Sequence, residues 1–158
     1  MTLLWWAAAL MAPAAPAAGA PSLSAWHGHW AGAGEAFGKP ATATLDIAPG
    51  KTGETALSYR LSIAGTPPVS YSAKALYTLD AKGRVRGKWT DVTGRVRPVA
   101  GGVTGLQWWT NWGSADVEIG RSTYALASDG ALIVSDSILQ PDGRWRGFAM
   151  LRYTRKKT

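Results

Sequence analysis

The amino-acid sequence predicts an all-β chain folded as a single antiparallel up-and-down β-barrel of about ten strands. Three observations predict it. Past residue 24, apolar side chains alternate with polar ones and almost no helical period is seen. That is the pattern of strands with one face inside and one in water. Turn signals return at close to ten-residue intervals, at Pro49-Gly50, Gly65-Thr66-Pro67-Pro68, Asp80-Ala81-Lys82-Gly83, Asp91-Val92-Thr93-Gly94, Ser128-Asp129-Gly130 and Pro141-Asp142-Gly143. Asp starts such turns and Gly takes the positive φ that hairpins need. Finally, even spacing with short loops favours a meander, and closing a meander removes its sheet edges.

The elements follow in order. Residues 1–20 carry no charge and run Leu3-Leu4-Trp5-Trp6-Ala7-Ala8-Ala9-Leu10-Met11 before Pro13, Pro16 and small side chains. A short apolar core followed by A-x-A sites is the pattern of a secretory signal peptide, although no Lys or Arg precedes it. Pro13 and Pro16 cut the run well short of the roughly 20 residues that span a bilayer. Residues 21–158 then form one domain. The predicted strands are 24–35, 40–48, 55–64, 69–80, 84–90, 94–100, 103–110, 114–127, 131–140 and 144–155. Leu57, Tyr59, Leu61 and Ile63 share one face of the third. Tyr71, Ala73, Ala75, Tyr77 and Leu79 share one face of the fourth, and Val85, Gly87 and Trp89 one face of the fifth. Gly101-Gly102 reads as a bend at a barrel corner.

Composition narrows the class of function. The chain has 158 residues, no Cys and a net charge of +7. Without disulfides a domain of this size is held by its core alone. Thiolate metal sites and a lipid-modified cysteine are excluded. Export turns the basic balance away from nucleic acid and towards anionic lipid or glycan in a periplasm or outside the cell.

Gly28-His29-Trp30-Ala31-Gly32-Ala33-Gly34 opens the domain. This Gly-x-Trp-x-Gly-x-Gly run resembles the first strand of nitrobindin-like barrels and, more loosely, the Gly-x-Trp of lipocalins. Tyr77 to Asp80, Trp89-Thr90-Asp91, Gly94 and the basic end Arg152-Tyr153-Thr154-Arg155 are similar to a bacterial lipocalin-like family of uncharacterised function. The resemblance implies a calycin-like barrel with Trp30 as the plug of its closed end. It also implies that Arg152 or Arg155 of the last strand stacks on Trp30, a cation–π contact. Nitrobindin-like barrels ligate haem through a late His. No His follows His29 here, so the resemblance carries the fold without haem, and no cofactor is expected. Tyr153 is a conceivable iron ligand that nothing singles out.

Four sets of residues invite a functional reading. His27 and His29 share one side of a strand, but an inward Trp30 turns them to solvent, and no third metal ligand is evident. Arg121 and Asp136 flank the turn at Ser128-Asp129-Gly130. A four-residue loop sets them directly opposite and a two-residue loop makes them diagonal, so an inward ion pair is expected. Glu118 has the opposite parity. Trp26, Trp30, Trp89 and Trp108 suit core and barrel-end packing, whereas an outward Trp109 or a rim Trp112 suggests contact with lipid or sugar. Lys82, Arg84, Arg86, Lys88, Arg95 and Arg97 form a surface basic patch with only Asp91 against them. A four-residue loop there sets Lys88 across from Arg97.

No Gly-x-Ser-x-Gly, late His or phosphate loop is present, so no catalytic residue is assigned. The expected function is binding of a small, partly apolar ligand in the cavity. Tyr59, Tyr77, Trp89, Trp108, Leu151, Arg121 and Asp136 would line it. The alternatives are an envelope surface-association module using the basic hairpin and exposed Trp, and a cavity enzyme of unstated reaction.

Overall fold

The computed structural model describes residues 20–114 and 118–157, so the predicted leader lies outside the described residues. A 3-10 turn, η1 (Ser24–Trp26), precedes ten strands. They are β1 (Gly28–Ala36), β2 (Lys39–Pro49), β3 (Thr55–Ile63), β4 (Val69–Leu79), β5 (Arg84–Asp91), β6 (Val96–Thr104), β7 (Gln107–Ser114), β8 (Glu118–Leu126), β9 (Leu132–Leu139) and β10 (Trp145–Arg155). Each pairs with its sequence neighbour, and β1 pairs with β10, so the sheet is a closed antiparallel barrel. Among the described residues no helix is long and apolar enough to cross a membrane.

Alternation decides what fills the interior. In β2, Ala41, Ala43, Leu45 and Ile47 are buried while Thr42, Thr44 and Asp46 are exposed. In β3 and β4 the inward sets are Leu57, Leu61, Ile63 and Ala73, Ala75, Tyr77. The predicted corner at Gly101-Gly102 is not a corner, because both glycines lie within β6 and pair with β7. They are there for close approach: a Cβ on Gly101 would meet the Trp109 carbonyl oxygen at 1.9 Å.

The glycines of the opening motif have the same cause. A Cβ on Gly32 would lie 2.5 Å from the Tyr153 ring, and one on Gly34 would lie 2.1 Å from the Met150 carbonyl oxygen. Bare backbone in β1 is what lets β10 and its tyrosine close the barrel.

The barrel has one plugged end. Trp30 is buried, and its indole N–H donates to the Trp26 carbonyl at 2.9 Å. Trp26 donates to the Tyr124 carbonyl at 3.3 Å. Of the two expected arginines it is Arg155 that caps Trp30, 4.4 Å from its ring centroid. It also donates to the carbonyls of His27 and Ala25 at 2.7 and 2.9 Å. Arg152 instead bonds Asp129 on the outer surface. Above the plug, Trp108 stacks on Tyr124 at 4.3 Å and meets Tyr77 edge-on at 4.9 Å. These rings fill the cross-section and form a floor.

Candidate functional site

Above that floor the inward residues become smaller or more polar, and a cavity of about 280 Å³ remains. It lies towards the opposite end, where the β1–β2, β3–β4, β5–β6, β7–β8 and β9–β10 connections meet. Its walls are largely aromatic: Phe37, Tyr59, Tyr71, Trp89, Trp112 and Phe148, with Leu61, Ile63 and Val134. Three polar side chains also line it, Arg97, Ser122 and Asp136, and exposed Glu118 stands at the rim.

Asp136 is on β9 directly opposite Ser122 of β8 and Ala149 of β10. The Trp112 indole N–H donates to the Ser122 hydroxyl at 3.1 Å, which in turn donates to the Asp136 carboxylate at 2.5 Å. Gly120 permits this relay, because a Cβ there would sit 2.0 Å from the Trp112 ring. Burial pushes the Asp136 carboxyl up to about 6, against the smaller opposing effect of the Ser122 hydrogen bond. Burial likewise raises the hydroxyls of Tyr59, Tyr71 and Tyr153, which stay neutral donors at physiological pH.

Arg97 faces the interior from β6, and its Nη1 donates to Asp91 at 3.0 Å with both side chains largely buried. The Thr93 hydroxyl and then Arg97 itself help hold the Asp91 carboxyl down to about 2, with the amides of Arg95 and Thr93 adding to them. Arg97 Nε is buried with no hydrogen-bond partner, and so is the Tyr153 hydroxyl. The guanidinium lies 5.9 Å from the Trp112 ring centroid. Across the mouth, the Trp89 indole donates to the Tyr71 hydroxyl at 2.9 Å.

The structure brings Tyr59, Trp89 and Asp136 of the predicted ligand-binding set to the cavity wall. Tyr77, Trp108 and Leu151 are buried but belong to the floor and core beneath it. The expected Arg121–Asp136 pair does not form. Five residues, 127–131, separate the paired Leu126 and Leu132, so Arg121 opposes Ser137 and faces outward. A one-residue change of register turns a side chain to the other face. Arg121 instead donates to Asn111 at 2.9 Å and stacks 4.3 Å over Trp145.

The same correction applies to the basic patch. Five residues separate the paired Thr90 and Val96, so Lys88 opposes Pro98 and Arg97 opposes Trp89. Arg97 is therefore a cavity residue, while Arg84, Arg86, Lys88 and Arg95 are exposed. Trp112 is a cavity wall and not a surface rim; Trp109 faces outward, half-buried beside Gly102. His29 is exposed and bonds Asp46 at 2.6 Å, and His27 lies 3.5 Å from Thr55 Oγ1. The described residues hold no cluster of three or more His, Asp or Glu spaced for a metal.

Of the residues lining the cavity, Tyr71, Ser122 and Phe148 carry no site prediction from the sequence, whereas Arg97 and Trp112, expected on the basic surface patch and at the rim, lie in the cavity wall instead. The inward parity of Tyr71 was legible from its own strand. Trp112 and Ser122 share parity with inward Trp108 and Tyr124, whereas Arg97 depends on the length of the 91–95 loop and Phe148 on the β10 bulge between Gly147 and Ala149, which the alternation does not encode.

No family model matches the chain, and no curated protein matches it. Its fold is similar to that of a solved structure, Rv2717c from M. tuberculosis. The TM-score is 0.61 at 16% identity, over 85% of this chain and 95% of that one.

Proposed function

We propose that this chain is an exported, lipocalin-like or nitrobindin-like barrel that binds one small, partly apolar molecule in its cavity. The single observation that carries the reading is the cavity itself. A close-packed aromatic floor would serve stability if the whole barrel were filled, yet filling stops at Trp108 and leaves about 280 Å³ lined by seven aromatic rings, Tyr124 of the floor included. Ligand sites are concave and mostly apolar with a few placed polar groups. This volume is at the small end of that range, so the ligand is small. Export rests on the apolar leader in residues 1–20.

Native mass spectrometry of protein purified from its own envelope tests the reading, together with titration of the apolar dye N-phenyl-1-naphthylamine. A copurifying small-molecule mass, or dye fluorescence that saturates at one site, supports it. A bare protein mass with a dye that stays dark overturns it.

A second reading has one observation in its favour. Arg86 and Lys88 are exposed on β5, beside Leu76, whose relative exposure is 54%. A cationic strip flanking an apolar side chain suits an anionic envelope surface. Binding to anionic vesicles that is unchanged between low and high salt rejects it.

A further inference from the structure

The interior charges of this cavity are unevenly compensated. The charge of Arg97 is balanced by Asp91, which is itself fixed by Thr93 and the Arg95 amide, although Arg97 Nε makes no hydrogen bond among the described residues. Glu118 is at the rim and exposed. Asp136 is deeper, and among the described residues its only side-chain hydrogen bond comes from the neutral Ser122 hydroxyl. No cationic side chain forms a salt bridge with it among the described residues. Arg121, the one arginine whose sequence position suggests a partner, faces the other side of the sheet. Among the described residues the barrel thus holds a carboxylate among aromatic rings with no cation in ion-pair contact with it.

Aromatic faces carry the negative end of a quadrupole and attract cations. Tyr59, Tyr71, Trp89 and Trp112 present four electron-rich rings to the same cavity as Asp136. An anionic ligand would meet Asp136 as a like charge and would find the Arg97 charge already balanced by Asp91, with only its Nε–H left to donate. A cationic ligand would meet an acceptor with no ion-pair partner among the described residues, in a cavity whose walls are electron-rich rings.

We propose that the cavity selects a small organic cation, an amine with an apolar body, whose ammonium group is received by Asp136 and whose body lies against the Tyr59, Trp89 and Trp112 rings. The proposal rests on the cavity-binding reading above and names its ligand class. Asp136 accepts one N–H, and Ser122 holds the carboxylate in place through its own hydroxyl. The Trp112–Ser122 hydrogen bond fixes that hydroxyl's direction, so Ser122 is a positioning residue for the acceptor.

Three probes with one indole body separate the alternatives: tryptamine, a cation; tryptophol, neutral; and indole-3-acetate, an anion. Isothermal titration at pH 7.5 with the full barrel domain is expected to give tryptamine at least tenfold tighter than tryptophol, with indole-3-acetate weakest. Asp136→Asn is expected to remove that preference, bringing tryptamine to within threefold of tryptophol. Ser122→Ala is expected to weaken tryptamine severalfold and to narrow its advantage over tryptophol. Equal binding of all three, or tightest binding of indole-3-acetate, overturns the cation assignment and leaves the cavity reading standing. Failure of all three together with N-phenyl-1-naphthylamine overturns both.

Discussion

At the residue scale Asp136 is an ionisable group in a place that disfavours its ionised form. Its folded-state carboxyl is raised from 3.8 to about 6. A raised acid contributes stability that is fully present below the unfolded value and is lost as pH rises through the folded one. The window is therefore about pH 4 to 6, and above it the wild-type barrel carries the cost of a buried carboxylate. Because Asp136 is only half-buried, that cost is at most about 2 to 3 kcal/mol. Asp136→Asn is expected to match wild type in chemical denaturation at pH 4 and to exceed it by up to that much at pH 8. Equal stability at both pH values would refute this account of Asp136. A residue that lowers stability at neutral pH is the kind kept for function. Arg155 is the opposite case, because one guanidinium ties Trp30, His27 and Ala25 to the last strand. Arg155→Ala is expected to cost roughly 1 to 2 kcal/mol in urea unfolding. Arg155→Lys keeps the charge without the fork and recovers less than half of that.

At the element scale the connections decide the site. The β1–β2 hairpin turns through Phe37 and Gly38, both at positive φ, 52° and 71°. Asn-Gly is the usual choice there. Phe37 instead stacks on Phe148 at 4.9 Å over the cavity mouth. A left-handed non-glycine residue costs about 1 kcal/mol. Phe37→Gly is expected to leave stability unchanged or raise it by up to about 1 kcal/mol, while ligand dissociation becomes faster in stopped-flow measurements.

The strands and their inward faces were legible because alternation is a local property: Leu57 to Ile63 and Tyr71 to Leu79 point as their sequence predicts. Register is not local. At 91–95 the Asp91 carboxylate accepts from the Thr93 and Arg95 amides, which sets a five-residue loop. At 127–131, Ala127 bonds the Ala131 carbonyl and Asp129 accepts from the Ala131 amide. One added residue in each loop sends Arg97 inward and Arg121 outward. In β8 the composition also misleads, since Ile119 lies on the outer face while inward Gly120 and Ser122 are small. They are small because Trp112 and Asp136 lie against them, a tertiary fact with no signature in β8 alone.

At the scale of the whole molecule, nine pairings are between neighbours in sequence and one is not. The β1–β10 pairing joins the two ends of the barrel, with Trp30 opposite Arg155. Deleting 145–155 would leave β1 and β9 as open edges with unpaired backbone groups. Such a chain is expected to self-associate in sedimentation velocity runs at concentrations where the intact barrel is monodisperse.

The Arg155 contacts span 128 and 130 residues of sequence. Everything between must be laid down before the plug can seat, so the vessel is sealed by its final piece. A half-made barrel is a sleeve open at both ends and retains nothing. Occupancy of the cavity would then double as a signal of completed assembly, readable in a refolding experiment as the moment a bound dye lights up.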